Sequence, residues 1–225
     1  MPETFEMIPD PPARTAAFEP HLDGLLELFS PAWAVPDGAG ESAYRRCEVK
    51  RWEIGRAAGA DPDRTRRHAE LLVRAAVLDH CRSGINQLVR PLVKTLGHRW
   101  TQERIVSYVR SGTPAEKTGA TMAWYFSGPP LRYASADGVR SGTPTPESQA
   151  ASDALADVRA AYREAVLTAF LTCDDPAVRL DLALWIPLDP AAWPDAFRAD
   201  HDRARSLILA DPDHYGLVLR RAGLD

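Results

Sequence analysis

Six segments with helical patterning are each introduced by an aspartate or threonine standing directly before a proline: Asp61-Pro62, Thr113-Pro114, Thr145-Pro146, Asp175-Pro176, Asp189-Pro190 and Asp211-Pro212. The arrangement has one common use. The Asp or Thr oxygen accepts hydrogen bonds from free amides of the first helical turn, and proline follows where its missing N–H costs nothing. At Thr113 the signal is fuller, because Glu116 three residues on completes a capping box. Hardly any stretch alternates apolar and polar residues with the period of two that a strand needs. The chain is therefore expected to be all-α.

The remaining elements follow from the same reading. Prolines 2, 9, 11, 12 and 20 predict an extended or disordered arm over residues 1–20, followed by one all-α domain over 21–225. A short apolar helix is expected from Leu22 to Phe29, then a break rich in Pro and Gly over 30–40, then a helix from Glu41 to about Ala58. Asp61 starts a helix that carries the apolar face of Leu71, Leu72, Ala75, Ala76, Val77 and Leu78. Ile85 to Leu96 is helical with Pro91 kinking or splitting it, and Thr101 is placed to cap a helix from Gln102 to Arg110. One long helix is expected from Pro146 to about Thr172. Between helices, Gly128 to Thr143 is long for a connection in a compact helical domain, so any subdomain boundary should fall there.

Composition narrows the setting. With 225 residues the chain can bury a real core, and no apolar run approaches the roughly 18 residues of a membrane span. The first residues carry acids where a signal peptide would carry bases, so a cytoplasmic location with no membrane contact is expected. Cys47, Cys81 and Cys173 lie far apart, a spacing that suits isolated small side chains in a reducing compartment. The net charge of −4 is unevenly spread: residues 41–112 hold fifteen Lys or Arg against eight acids, and both flanks are acidic. Such blocks shape long-range fields more than the total does.

Two stretches share a plan. Ile105 to Trp124 and Ala165 to Trp185 each run apolar helix, turn, Thr-Pro or Asp-Pro cap, second helix, tryptophan. The first, taken from Leu96-Gly97 to Trp124, resembles a HEAT-like repeat: its turn is Gly112-Thr113-Pro114, and Ala120 and Ala123 stand where the family places small residues at the close helix contact. The resemblance covers roughly residues 96–127 and 160–187. It implies stacked helix pairs that bind proteins. The long loop and helix between the two units depart from a regular array, so a helix-pair solenoid and an irregular multi-helix bundle both stay open.

Three groups of residues are candidates for binding. Arg45, Arg46, Lys50, Arg51 and Arg56 with Arg64, Arg66 and Arg67 form a basic block interleaved with Trp52 and His68, suited to an acidic protein surface and less to nucleic acid, given a sequence pI near 5.9. Trp124 and Tyr125 form an aromatic cluster with Phe126, and Tyr133 follows in the loop. His98 and Trp100 flank Arg99 just past Gly97, a position that also suits a helix joint, and His98, Arg132 and Tyr133 would line any pocket beneath the 128–143 loop. No histidine pair has the i, i+4 spacing of a metal site, and no nucleotide-loop or nucleophile motif is present. The expectation is a non-enzymatic protein-interaction module without metal or cofactor, meeting a protein partner or a second copy of itself. A small-molecule pocket under the loop and nucleic-acid binding at 45–67 are the alternatives.

Overall fold

The computed structural model describes residues 12–36, 38 and 42–224. All regular elements among them are helical, and no strand occurs. The six predicted starts are all realised. Asp61, Thr113, Thr145, Asp175, Asp189 and Asp211 each accept from amides of the turn that follows, with proline at the first positions. Thr113 and Glu116 form the complete reciprocal box.

The N-terminal arm needs correction. Residues 1–11 lie outside the described residues, but Pro12–Phe29 is one continuous helix, α1, that runs through Pro20. Phe18, Leu22, Leu25, Leu26 and Phe29 recur at helical spacing and are all buried. Their burial, worth about 1.5–3 kcal/mol each, outweighs the single backbone bond that proline removes. Helix α1 lies on α2 (Ala43–Ala60) and is also tied to it by charge. The Glu19 carboxylate accepts from Arg46 at 2.8 Å and from Lys50 at 2.7 Å, and Lys50 reaches Asp23 at 2.5 Å.

This ion cluster carries a pH dependence. The Arg46 hydrogen bond and the Lys50 ammonium outweigh burial and hold the Glu19 carboxyl at about 2, below its ordinary 4.5. A depressed carboxyl stabilises the fold fully above the unfolded value near 4.5, and the contribution is lost as pH falls toward 2. After solvent screening it amounts to about 1–2 kcal/mol. Urea melts recorded down this range should show the wild-type midpoint falling more steeply than that of Glu19→Gln; parallel curves would remove the cluster from the acid limb.

Asp61 closes α2 and caps α3 (Pro62–Arg67), which leads into α4 (Ala69–Leu78). The next helix corrects the reading of Pro91. Helix α5 spans Ile85–Ser111 and passes through Pro91; its break falls at Gly97, with φ 85° and ψ 165°. Only glycine takes that conformation without strain. Thr101 is no cap: it lies inside α5 and its hydroxyl donates to the Gly97 carbonyl at 2.9 Å.

Helix α6 (Pro114–Ser127) follows, and the expected loop contains a short helix, α7 (Ala136–Ser141). The expected single helix from 146 to 172 is two, α8 (Pro146–Asp153) and α9 (Ala156–Thr172), because Leu155 turns inward and is buried. The carbonyls freed at that joint are satisfied from elsewhere: Arg159 donates to Ser152, and Arg99 donates to Ala154 at 2.6 Å. Helices α10 (Pro176–Ala183), α11 (Arg198–Ala210) and α12 (Pro212–Ala222) complete the chain, with short 3-10 turns at Pro190–Ala192 and Asp195–Phe197.

Helix α5 is the hub, touching α2, α3, α4, α6 and α9. The pair α5–α6 also meets the pair α9–α10 in register, α5 against α9 and α6 against α10. One continuous apolar cluster runs from Phe18 to Leu219. Cys47 is within it, and burial pushes its thiol up to about 11; none of the three cysteines is in a disulfide. No helix among the described residues is long and apolar enough to cross a membrane.

Candidate functional site

The basic block does not form one surface, because helical periodicity deals its members to different faces of α2 and α3. Arg46 is spent on Glu19 beneath α1. Arg51, read as a binding residue, is 1 % exposed and corrected to a core residue: it forms a two-bond pair with Asp79 at 2.6 and 2.7 Å, under the Phe18 ring. Burial opposes its charge, but the Asp79 carboxylate outweighs burial and moves the guanidinium pKa up. Arg64 bonds Asp61 and the Phe29 carbonyl, Arg66 pairs with Asp63, and Arg67 is exposed on the same short helix. Arg45 stays outward, paired with Glu48 at 2.5 Å.

The other candidates divide as well. Trp124 stacks on Tyr162 with centroids 3.9 Å apart, and Tyr162 meets Trp185 edge-on, so this ring set ties α6, α9 and the end of α10 together. Tyr125 points out, 73 % exposed, and Phe126 packs inward against the core. His98 places Nδ1 2.7 Å from the Ser127 carbonyl and joins α5 to the end of α6. Trp100 is half-buried under the Arg104 guanidinium. Arg132 is exposed and Tyr133 half-buried. Their loop is closed by Ser148, which accepts from the Arg132 amide and donates to the Pro130 carbonyl, and by the Thr145 amide donating to the Arg132 carbonyl. The structure does not bring His98, Trp100, Arg132 and Tyr133 into either hollow described below.

A hollow with charged and aromatic walls lies elsewhere. A cleft of about 860 Å³ runs between α2 and α5 and is closed at one side by residues 33–36. Helix α2 contributes Arg45, Glu48, Trp52 and Arg56 at successive helical turns, and α5 contributes Gln87, Arg90, Pro91 and Lys94. Trp33 stands at the third side, partly buried against the core, whereas Trp52 is 59 % exposed. The close approach of the two helices has a local cause. Pro91 cannot donate to the Gln87 carbonyl, and Gly55 of α2 packs on that oxygen so tightly that a Cβ would stand 2.6 Å from it.

Charge in the cleft is largely compensated on one wall. Glu53 accepts from Arg56 at 2.6 and 2.8 Å and from the Ser30 hydroxyl at 2.5 Å; the Arg56 hydrogen bonds outweigh burial and lower its carboxyl pKa. The α5 wall is different: Lys94 donates only to the Gly59 carbonyl, and Arg90 has no polar partner among the described residues. Among the candidates read from sequence, Arg45 and Arg56 of the basic block and the interleaved Trp52 belong to this cleft. Arg45, Val49, Trp52 and Arg56 share one face of α2 by helical spacing alone, whereas the opposite wall, with Arg90 and Lys94, is set by packing.

A second hollow of about 300 Å³ lies between the end of α10 and α12, lined by apolar residues and Arg221. Among the described residues no cluster of His, Cys, Asp and Glu is placed to hold a metal ion. Comparison with protein-family models, with curated proteins and with solved structures finds no match.

Proposed function

We propose that this chain is a non-enzymatic partner-recognition module of helical-repeat type, working in the cytoplasm, with the α2–α5 cleft as its contact surface. The observation that carries this reading is Trp52, 59 % exposed on the wall of a cleft of about 860 Å³ beside Trp33 and the cations of α5. A large indole left in water on the wall of a concave surface is the residue type that dominates the energetics of protein interfaces. The repeat reading is supported by the in-register meeting of α5–α6 with α9–α10, the two helix pairs that share a sequence plan. Three cysteines outside any disulfide suit a reducing compartment.

A photo-cross-linking residue placed at position 52 in the native host tests the reading. A discrete adduct of defined mass is expected there, and none from the same residue at Ala160, exposed on α9. Failure to form any adduct at position 52 would remove the cleft as the contact surface.

A further inference from the structure

We infer that the cleft takes a short acidic peptide segment of a partner protein, with one apolar side chain seated at the tryptophans and carboxylates meeting Arg90 and Lys94. The inference rests on the cleft being the contact surface and adds the chemistry of what fills it. Charge complementarity sets the occupant. Glu48 and Glu53 are already matched by Arg45 and Arg56. Arg90 and Lys94 are left, one turn apart on α5, both exposed and with no carboxylate partner among the described residues. Two adjacent cations without anions attract a segment carrying two or more carboxylates, and the guanidinium fork suits a carboxylate bidentately.

The tryptophans select against a purely ionic ligand. Trp52 and Trp33 offer apolar area on two sides of the same hollow, and burying one leucine-sized side chain there is worth as much as several surface ion pairs. A nucleic-acid strand fits less well. Its phosphates would pass the Glu48 and Glu53 carboxylates on the α2 wall, and two uncompensated cations fall short of the roughly 6–10 phosphate contacts of a typical binder. The remaining arginines of the basic block are on other faces or inside the core.

The test uses the full chain and a fluorescein-labelled, end-blocked peptide of glutamates surrounding one leucine, read by anisotropy. Its lysine counterpart, an all-glutamate peptide and oligothymidylate are the comparisons. The leucine-containing acidic peptide should bind best and weaken severalfold between about 50 and about 300 mM salt. Arg90→Glu with Lys94→Glu should weaken it by about tenfold or more, Trp52→Ala by about tenfold, and Arg66→Glu with Arg67→Glu on α3 should leave it unchanged. All the altered side chains are exposed, and circular dichroism checks that each variant keeps its fold. Absence of peptide binding, equal binding by the α5 variant, or tighter binding of oligothymidylate each overturns the inference. An adduct at position 52 without peptide binding would leave the contact surface standing and its acidic partner refuted.

Discussion

Gly119→Ala is expected to destabilise the protein by about 3 kcal/mol or more and to lower Tm by roughly 6–12 °C. Helix α6 meets α4 at this residue with no room for a side chain. A Cβ built on Gly119 would stand 1.7 Å from the Val77 carbonyl oxygen, with the carbonyl carbon at 2.6 Å. Both obstacles are backbone, so no rotamer change relieves the clash. The two helices must separate, and each also packs on α5, so the gap opens into the core beside Ala120 and Ala123. Helix propensity acts in the opposite direction, favouring alanine by about 1 kcal/mol, which makes a net loss diagnostic of the contact. Gly24→Ala supplies the control: it is inside α1 with nothing within 4 Å of its Cβ position, and should be neutral or stabilising. Thermal melts of both variants decide it; equal Tm values for Gly119→Ala and wild type would mean that α4 and α6 do not meet as described.

The second large effect concerns the Arg51–Asp79 pair. Asp79→Ala should cost about 3–5 kcal/mol, because it leaves a guanidinium charged and buried without its counter-ion. Arg51 is 1 % exposed, and its Nη1 already has no hydrogen-bond partner, so nothing nearby replaces the lost carboxylate. Asp79 also accepts from the Cys81 amide at 2.9 Å, which fixes the turn between α4 and α5. Removing both charges is a different experiment. Arg51→Met with Asp79→Leu should be less harmful than Asp79→Ala alone, since no unpaired ion stays inside. Urea unfolding of the single and double variants gives the coupling directly. A loss below about 1 kcal/mol for Asp79→Ala would contradict a buried ion pair.

The buried Arg51–Asp79 pair shows why the basic block does not form one surface. In sequence Arg45, Arg46 and Arg51 are alike, and nothing local distinguishes them. Their fates follow from position on α2: residues 46, 47, 50, 51, 54 and 58 face α1 or the core, whereas 45, 52 and 56 face out. The acids that claim Arg46 and Arg51 are 27 and 28 residues away, on α1 and at the end of α4. A similar distance separates the cleft's two walls, so neither the buried pair nor the cleft could be read from a local pattern.

What the sequence alone determined was where the Asp-Pro and Thr-Pro helices begin. An Asp or Thr cap acts on amides two or three residues ahead, and a following proline acts on its own backbone, so all six such starts were legible without knowledge of the fold. Tertiary structure decided where helices continue and end. Pro20 and Pro91, which alone read as breaks, lie inside helices because buried neighbours on α1 and α5 repay the lost bond. The inward turn of Leu155 divides a helix that its residues would otherwise continue. The proposed contact surface belongs to that second class, since a cleft exists only where two helices distant in sequence are packed with a gap between them.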